Sequence, residues 1–270
     1  MKVVSFNANG IRARLHQIEA LLAQHAPDVI GIQETKVEDG TFPLADLQSL
    51  GLHVEFFGQK SHYGVALLSR QPPVNVHKGF NGGDDLQKRL IRADYALPKG
   101  GTVTIFNGYF PQGESRDHPE KFPNKERYYR ELRQLLLEQF QPSQNLIVMG
   151  DMNVAPLDND IGIGADNAKR WLREGKCCFL PEEREWLSNL MQWGLQDTYR
   201  LLHPEVDDRF SWFDYRSKGF EREPRRGLRI DMILGTASMT SKLKEAGICY
   251  EIRSMKSPSD HCPVWAEFAF

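Results

Sequence analysis

Cysteine is scarce: four residues in 270, Cys177, Cys178, Cys249 and Cys262, with no CxxC spacing. That spacing argues against a disulfide scaffold and a zinc-ligand pattern, and fits reduced thiols in the cytoplasm. Long apolar runs are missing too. None approaches the roughly 20 residues that span a bilayer, so no membrane partner is expected. The opening MKVVSFNANGIRARL offers too short an apolar stretch for a secretory signal, and Asn7, Asn9, Arg12 and Arg14 break it. An excess of one charge sign is also absent: 34 Lys plus Arg stand against 36 Asp plus Glu, a net charge of -2. This excludes a uniformly basic coat for nucleic acid but leaves local basic faces open. There is no Gly-rich phosphate loop, no Ser or Cys nucleophile in an elbow motif, no low-complexity linker and no short repeat.

What is present is ordinary globular composition, 40% hydrophobic and 26% charged, so wholesale disorder is excluded. The length can bury a sizeable core, and residues 1–270 read as one compact catalytic domain. Short runs rich in Val, Ile, Phe and Tyr, bounded by Gly, Pro, Asn or Asp, predict strands. They are KVVSF (2–6), VIGIQ (29–33), YGVALLS (63–69), VTIFNGYF (103–110), LIVMG (146–150), FSWF (210–213), IDMIL (230–234) and PVWAEFAF (263–270). Three helices are predicted between them. IRARLHQIEALLAQH stripes Leu15, Ile18 and Leu22; NKERYYRELRQLLLEQF stripes Tyr128, Leu132, Leu135 and Leu136. PEEREWLSNLMQW opens on Pro181. No helix separates the strands between residues 63 and 110, which argues for antiparallel meanders and hence an α/β protein with mixed sheets.

Polar residues recur at strand ends. Asn7, Glu34, Asp151 and Asn153 leave strands; Asp231, Asp260 and His261 enter them. If the late strands run antiparallel to the early ones, all seven gather along one edge. Singly, each is an ordinary turn residue or helix cap. As a set they supply hard oxygen donors suited to Mg2+ or Mn2+ and one imidazole with a carboxylate partner. They lack the several His and Cys of a zinc site. The chemistry that fits is metal-assisted attack of water on phosphorus.

Basic clusters supply a second signal. Residues 116–133 carry Arg116, Lys121, Lys125, Arg127, Arg130 and Arg133 among four acids. Residues 169–176 carry Lys169, Arg170, Arg173 and Lys176 around Trp171. Residues 216–229 carry Arg216, Lys218, Arg222, Arg225, Arg226 and Arg229 against Glu221 and Glu223, an excess of +4 beside Trp212, Phe213, Tyr215 and Phe220. Basic loops interleaved with aromatics suit phosphate contact and stacking; a solvated, salt-bridged surface has the same composition.

The stretches SFNANGIRAR, PDVIGIQETK, HYGVALLS, NGYFPQGESRDHP, KFPNK, MGDMNVAP, DIGIG, LQDTYR, RFSWFDYRSKGF, GLRID and PSDHCPVW strongly resemble the bacterial exonuclease III family. This is the apurinic/apyrimidinic (AP) endonuclease branch of the endonuclease/exonuclease/phosphatase superfamily. The resemblance runs from Lys2 to about Phe268. It implies a four-layer α/β sandwich, two packed mixed β-sheets flanked by helices, as in DNase I-like proteins.

The resemblance also implies a divalent cation, Mg2+ with Mn2+ able to substitute, held chiefly by Glu34 with Asn7 and Asp260 nearby. Asp151, Asn153 and His261 would complete that set. Asp151 would deprotonate the attacking water, Asn153 hold it or the phosphate, Tyr109 contact the phosphate, and His261, oriented by Asp231, stabilise the charged phosphorane. Trp212, Leu228 and Ile230 would line a pocket for a flipped-out, base-less sugar; Leu228 and Ile230 are equally readable as plain core. Contacts to DNA would come from Arg89, Gln112, Arg116, Lys121, Lys169, Arg170, Lys176, Arg216, Lys218, Arg225 and Arg226.

The expected partner is double-stranded DNA with abasic sites or 3′ ends, bound by a cytoplasmic monomer with no obligate protein partner. Two further readings share the fold: a phosphatase or phosphodiesterase of inositol phosphates or sphingolipids, and a non-catalytic DNA-binding scaffold. The RFSWFDYRSKGF segment speaks against the first, and an intact acidic set against the second.

Overall fold

The structure is a computed structural model that describes residues 1–80, 82, 83 and 85–270. Twelve strands form two six-stranded mixed sheets among the described residues. The first sheet holds β1 (Lys2–Asn7), β2 (Val29–Gln33), β3 (His53–Phe57), β4 (Val65–Ser69), β11 (Leu243–Ile248) and β12 (Val264–Phe268), in the order β11-β12-β1-β2-β4-β3. The second holds β5 (Asn75–Lys78), β6 (Leu90–Ala96), β7 (Thr102–Tyr109), β8 (Leu146–Asp151), β9 (Leu195–Asp197) and β10 (Asp231–Thr236), in the order β5-β6-β7-β8-β10-β9. Helices cover the outer faces: α1 (Leu15–His25), α2 (Leu44–Ser49) and α8 (Tyr250–Arg253) on the first sheet, and α3 (Lys121–Gln139) and α5 (Pro181–Met191) on the second. The remaining α-helices among the described residues are α4 (Ala165–Arg173), α6 (Thr198–Leu202) and α7 (Ala237–Thr240).

Burial on both faces explains the near-continuous apolar strands. In β1, Val3 points between the sheets, packing toward Val65, Ile105 and Met149, while Val4 and Phe6 meet Ile18 and Leu21 of α1. In β8, Ile147 and Met149 face the inter-sheet layer, and Val148 meets Tyr129 and Leu132 of α3. Gly31 permits the close approach of the two sheets, since a Cβ there would lie 2.6 Å from Met149 Cε. Buried polar groups pin the same layer near the functional edge. Gln33 donates to Ser5 Oγ, and Asn107 Nδ2 donates to the carbonyls of Ile32 and Ala66 across the sheet gap. The Asn107 bonds fix how one sheet sits on the other.

The central strands lie where the sequence predicts them, but FSWF is not a strand. Trp212 makes only isolated bridges to Leu228 and His261, while Phe210 and Phe213 pack with Phe220 and Cys262. The aromatic content of that run reflects a buried loop cluster, a use of Phe that composition does not separate from strand formation. The strands β3, β5, β9 and β11 escape prediction because they lie at or near sheet edges and carry polar or half-exposed residues. β6 (LIRADYA) alternates too weakly to stand out.

Candidate active site

The topology decides what meets. β1 pairs with β2 in parallel, and β7 with β8 in parallel, so their C-terminal ends share one rim. β12 runs antiparallel to β1 and β10 antiparallel to β8, so these strands begin at that rim. Tyr109, Asp151 and Asp231 stand in register across three strands. The backbone is unusual here: Asn9, Glu34, Lys36, Tyr63 and Asn153 all have positive φ of 46–57°. Non-glycine residues in that region cost ~1–3 kcal/mol each and cluster where function over-determines the geometry. Gly150, at φ 152°, leaves room for the Gly108 carbonyl, which a Cβ would meet at 1.9 Å.

Asn7 is the bridge of the site. Its Nδ2 donates to Glu34 Oε1 and to Asp151 Oδ2, each at 2.9 Å, while its Oδ1 accepts from the Asn9 backbone. Its amide nitrogen, not its oxygen, therefore faces the carboxylates. Asp151 also accepts from the Asn153 backbone N–H at 3.0 Å. Asn153 donates to the Phe110 carbonyl and leaves Oδ1 to a weak contact from the Cys178 thiol at 3.8 Å. His261 Nδ1 lies 2.8 Å from Asp231 Oδ2, and its Nε2 lies 3.9 Å from Asp151 Oδ2. Ser211 Oγ accepts the backbone N–H groups of Ile230 and Asp231. Ser259 Oγ ties His261 N–H to the Asn7 carbonyl.

Electrostatics follow from burial. Desolvation pushes the Asp151 carboxyl up to about 7; Asp231 and Glu34 push the same way, and His261 and the Asn7 bond pull against them. For His261 desolvation opposes the charge, but the carboxylates of Asp231 and Asp151 outweigh it and hold the imidazole up at about 10. Burial, then the Glu34 carboxylate, keeps the Tyr109 hydroxyl neutral well above its usual range, with Arg89 pulling the other way.

Ligand atoms of Glu34, Asp151 and His261 lie within 4.8 Å of one another. Hard carboxylate oxygens from Glu34 and from the desolvated Asp151 fit a small divalent cation. Both oxygens of Asp260 accept hydrogen bonds, Oδ1 from Asn9 Nδ2 at 2.8 Å and Oδ2 from Trp212 Nε1 at 3.1 Å. It fixes the Trp212 ring beside the site.

A cavity of about 280 Å³ opens above this floor, lined by Tyr109, Gln112, Trp171, Trp212, Leu228 and Ile230 together with the polar set. It sits at the small end of ligand sites (~300–1,000 Å³). Leu228 and Ile230 are 1% and 3% exposed, so they belong to the core and to the cavity wall at once.

The basic candidates divide. Lys169 and Arg170 stand exposed on α4, and Arg216, Lys218 and Arg226 on the loop after Trp212. Gln112 is exposed at the cavity mouth. Arg116, Lys121 and Lys176 are exposed but paired with Glu182, Glu114 and Glu174. Arg89 is 8% exposed, its guanidinium 4.1 Å from the Tyr63 ring and 4.5 Å from the Tyr109 ring, donating to the Tyr109 carbonyl. Arg225 folds back over Phe220 and Tyr250.

Two residues counted in the basic clusters do not belong to the surface. Lys125 is buried against Glu183, with Nζ also on the Asn153 carbonyl. Arg229 is buried between Asp160 and Asp197, at 2.6 and 2.7 Å. Removing Arg229 lowers the loop excess from +4 to +3, because a charge next to a strand start can turn inward and find partners far away in sequence.

Asn9, Lys36 and Tyr63 were not singled out from sequence. Lys36 Nζ lies 3.0 Å from Glu34 Oε2 and also donates to Asn9 Oδ1. Each lies inside a quoted motif (NAN, ETK, HYG), so adjacency to a named polar residue was the available signal.

Comparison with known proteins adds an independent line. The model of the endonuclease/exonuclease/phosphatase family matches residues 4–261. The chain is 53% identical to exodeoxyribonuclease III of Haemophilus influenzae over 269 residues, covering 99% of this chain and 100% of that protein. Among solved structures it resembles the 3′ phosphatase NExo from Neisseria bound to product DNA hairpin, at 37% identity, TM-score 0.88 and full coverage of both chains. It also resembles an AP endonuclease from Archaeoglobus fulgidus, at 32% identity, TM-score 0.90 and full coverage of both.

Proposed function

The chain belongs to the endonuclease/exonuclease/phosphatase family, and from that premise we propose that it is a metal-dependent DNA-repair nuclease. It hydrolyses the phosphodiester 5′ to an abasic site and leaves a 3′-hydroxyl. It also removes blocked 3′ ends and digests duplex DNA from the 3′ end. Its relatives named as exodeoxyribonuclease III, AP endonuclease and 3′ phosphatase support this reading. The observation that carries it is a desolvated carboxylate–imidazole floor, Asp151 facing His261, beneath a cavity walled by Trp212, Leu228 and Ile230. Such a cavity takes a sugar without its base; a lesion that has lost stacking and pairing costs less to extrude.

Asp151, with its pKa near neutrality, is matched to accept the proton of an attacking water. As the new P–O bond forms, the bond from phosphorus to O3′ breaks, and the leaving oxygen takes a proton from solvent. His261, kept protonated by Asp231, offers Nε2–H to a phosphate oxygen as charge accumulates there. That proton makes it a donor instead of a metal ligand. Tyr109, neutral and braced by Arg89, adds a second donor. Asn153 Oδ1 orients the water. Glu34 and Asp151 would hold Mg2+, with Mn2+ able to substitute, and the bound cation would draw charge from the phosphate oxygens and offset the carboxylates.

The basic residues left in solvent, Lys169, Arg170, Arg216, Lys218 and Arg226, grip the duplex backbone. Residues 1–270 act as one catalytic unit, a monomer in the cytoplasm, in keeping with four unpaired cysteines. No helix among the described residues is long and apolar enough to cross a membrane. The test is one gel: duplex DNA with a single abasic analogue, with and without EDTA, beside a blunt-ended duplex. A metal-dependent nick directly 5′ to the lesion is expected. No nick, or one indifferent to EDTA, overturns the reading.

A further inference from the structure

Away from the catalytic rim, on the outer layer of the first sheet, a second group of potential ligands converges. His25 ends α1, Cys249 caps α8, and Glu251 lies in the first turn of α8. His25 Nε2 stands 2.9 Å from Glu251 Oε1 and 3.4 Å from Cys249 Sγ, and all three ligand atoms fall within 4.8 Å of one another. None of the three takes part in the catalytic set.

In the protonated state the three side chains pair through hydrogens: His25 Nε2–H donates to Glu251 Oε1, and the Cys249 thiol is a weak donor to the same carboxylate. Each group is also a metal ligand once its proton leaves, and the three ligand atoms converge closely enough for one cation to replace those protons. The cluster is also held in place. The His25 ring leans on Trp265, centroids 5.8 Å apart, and the Cys249 backbone N–H is bonded to the Pro263 carbonyl. Cys249 is 1% exposed, whereas the Glu251 side chain is 49% exposed. The site is therefore anchored inside and open to solvent on one side. The sequence concealed it, because His25 and Cys249 lie 224 residues apart and show no ligand spacing.

The geometry points to a second metal site, in which Cys249, His25 and Glu251 bind a borderline divalent cation such as Zn2+ and clip the end of α1 to the corner between β11 and α8. One sulfur, one imidazole and one carboxylate form a donor set that zinc takes and that Mg2+ does not prefer. The open side leaves the fourth position to water. On binding, the Sγ–H proton passes to solvent and the Sγ–metal bond replaces it. The clip is structural: it adds to the packing and to the Gln17–Ile252 hydrogen bond that already hold α1 against α8.

Co2+ alone, titrated into the full-length protein after removal of metals with EDTA, tests this. A thiolate bound to Co2+ gives a near-ultraviolet charge-transfer band, which the oxygen and nitrogen donors of the catalytic rim cannot produce. The expected result is a band in the wild type that saturates at one equivalent of thiolate-bound metal. It should vanish in Cys249→Ser and persist in Cys178→Ser, whose thiol lines the catalytic cavity. In Glu251→Gln, a surface change that leaves the fold intact, saturation should move to higher Co2+. Cleavage of DNA in Mg2+ should be unchanged by Cys249→Ser, so failure here is distinct from failure of the nuclease reading. The proposal is overturned by a wild type without the band, by a band that survives Cys249→Ser, or by identical saturation in Glu251→Gln and wild type.

Discussion

Asp151, Asp231 and His261 are each 4% exposed or less, whereas Lys169, Arg170, Arg216, Lys218 and Arg226 stand in solvent. Both regions are built from charge, and the same charge behaves differently in each. At the rim, low local dielectric couples the groups strongly, so every carboxylate changes the protonation of its neighbours. In the loops, water and salt screen each charge beyond about 8 Å at physiological ionic strength. On the proposed function, the rim acts as a unit and governs the chemical step, while the loops act additively and govern how long DNA stays. Substitutions should separate these two behaviours.

The largest effect is expected from Asp151→Asn. Losing a general base costs ~10²–10⁴-fold in rate, and single-turnover nicking of an abasic duplex should fall by that order while DNA affinity stays within a few-fold. Near-normal turnover would remove Asp151 from the role of base and blur the contrast between the regions. The same variant has an opposite effect on stability. The folded pKa of Asp151, about 7, exceeds the ordinary aspartate value of 3.8. The fold therefore holds that proton more tightly than the unfolded chain does, and stability falls as pH rises from about 4 to 7. In EDTA, Asp151→Asn should melt above the wild type at pH 8, with the gap closing toward pH 4. His261 gives the same slope in a higher window: raised from 6.5 to about 10, it contributes stability fully below 6.5 and loses it as pH climbs through 10. Melting curves across pH in EDTA measure both. A variant no more stable than wild type at pH 8 would mean the rim carries no electrostatic strain.

This contrast was only half legible in the sequence. The rim could be read because strand ends are read from apolar periodicity, and a polar residue that closes such a run is placed by it. Asn7 after KVVSF and Asp151 after LIVMG needed only the strand directions to bring them together. Side-chain direction is not periodic information. The turning of Asp260 toward Asn9 and Trp212, and of the Asn7 nitrogen toward two carboxylates, depends on neighbours supplied by other strands. Loop charges are harder still. Arg229 and Arg226 are three positions apart in one basic run, yet one is sealed between Asp160 and Asp197 and the other is in solvent. FSWF shows the same limit for apolar residues, since its phenylalanines serve a loop cluster and not a strand.

A middle case joins the regions. Trp212 belongs to the loop by sequence but to the rim by its bond to Asp260 and its place in the cavity wall. Trp212→Ala should lower cutting at abasic sites by roughly tenfold or more, the scale of a lost pocket contact. Digestion of a blunt 3′ end should fall by less, since only the extruded sugar needs the wall. Trp212→Phe, which keeps a ring and loses the bond, should fall between. Comparing both activities on the same preparation checks this; equal losses would make Trp212 a structural support and not a determinant of lesion choice.

The smallest effect, and the sharpest test of additivity, concerns Arg225 and Arg226. They are adjacent and carry the same charge, but Arg225 lies 5.0 Å from the Phe220 ring and 5.1 Å from the Tyr250 ring, with Nε lacking a hydrogen-bond partner. Arg226 is exposed. A phosphate contact releases counterions, so losing one reduces the salt slope of DNA binding by about one. Arg226→Ala should show that reduction with unchanged melting temperature. Arg225→Ala should keep the slope and lower the melting temperature, because it strips a cation from two aromatic faces, worth ~0.5–2 kcal/mol together with its packing. Titrations at several salt concentrations, paired with thermal melts, separate the two. If both variants flatten the slope equally, Arg225 leaves its aromatic seat to meet DNA, and the boundary between a packed interior and a solvated grip runs one residue deeper than the structure draws it.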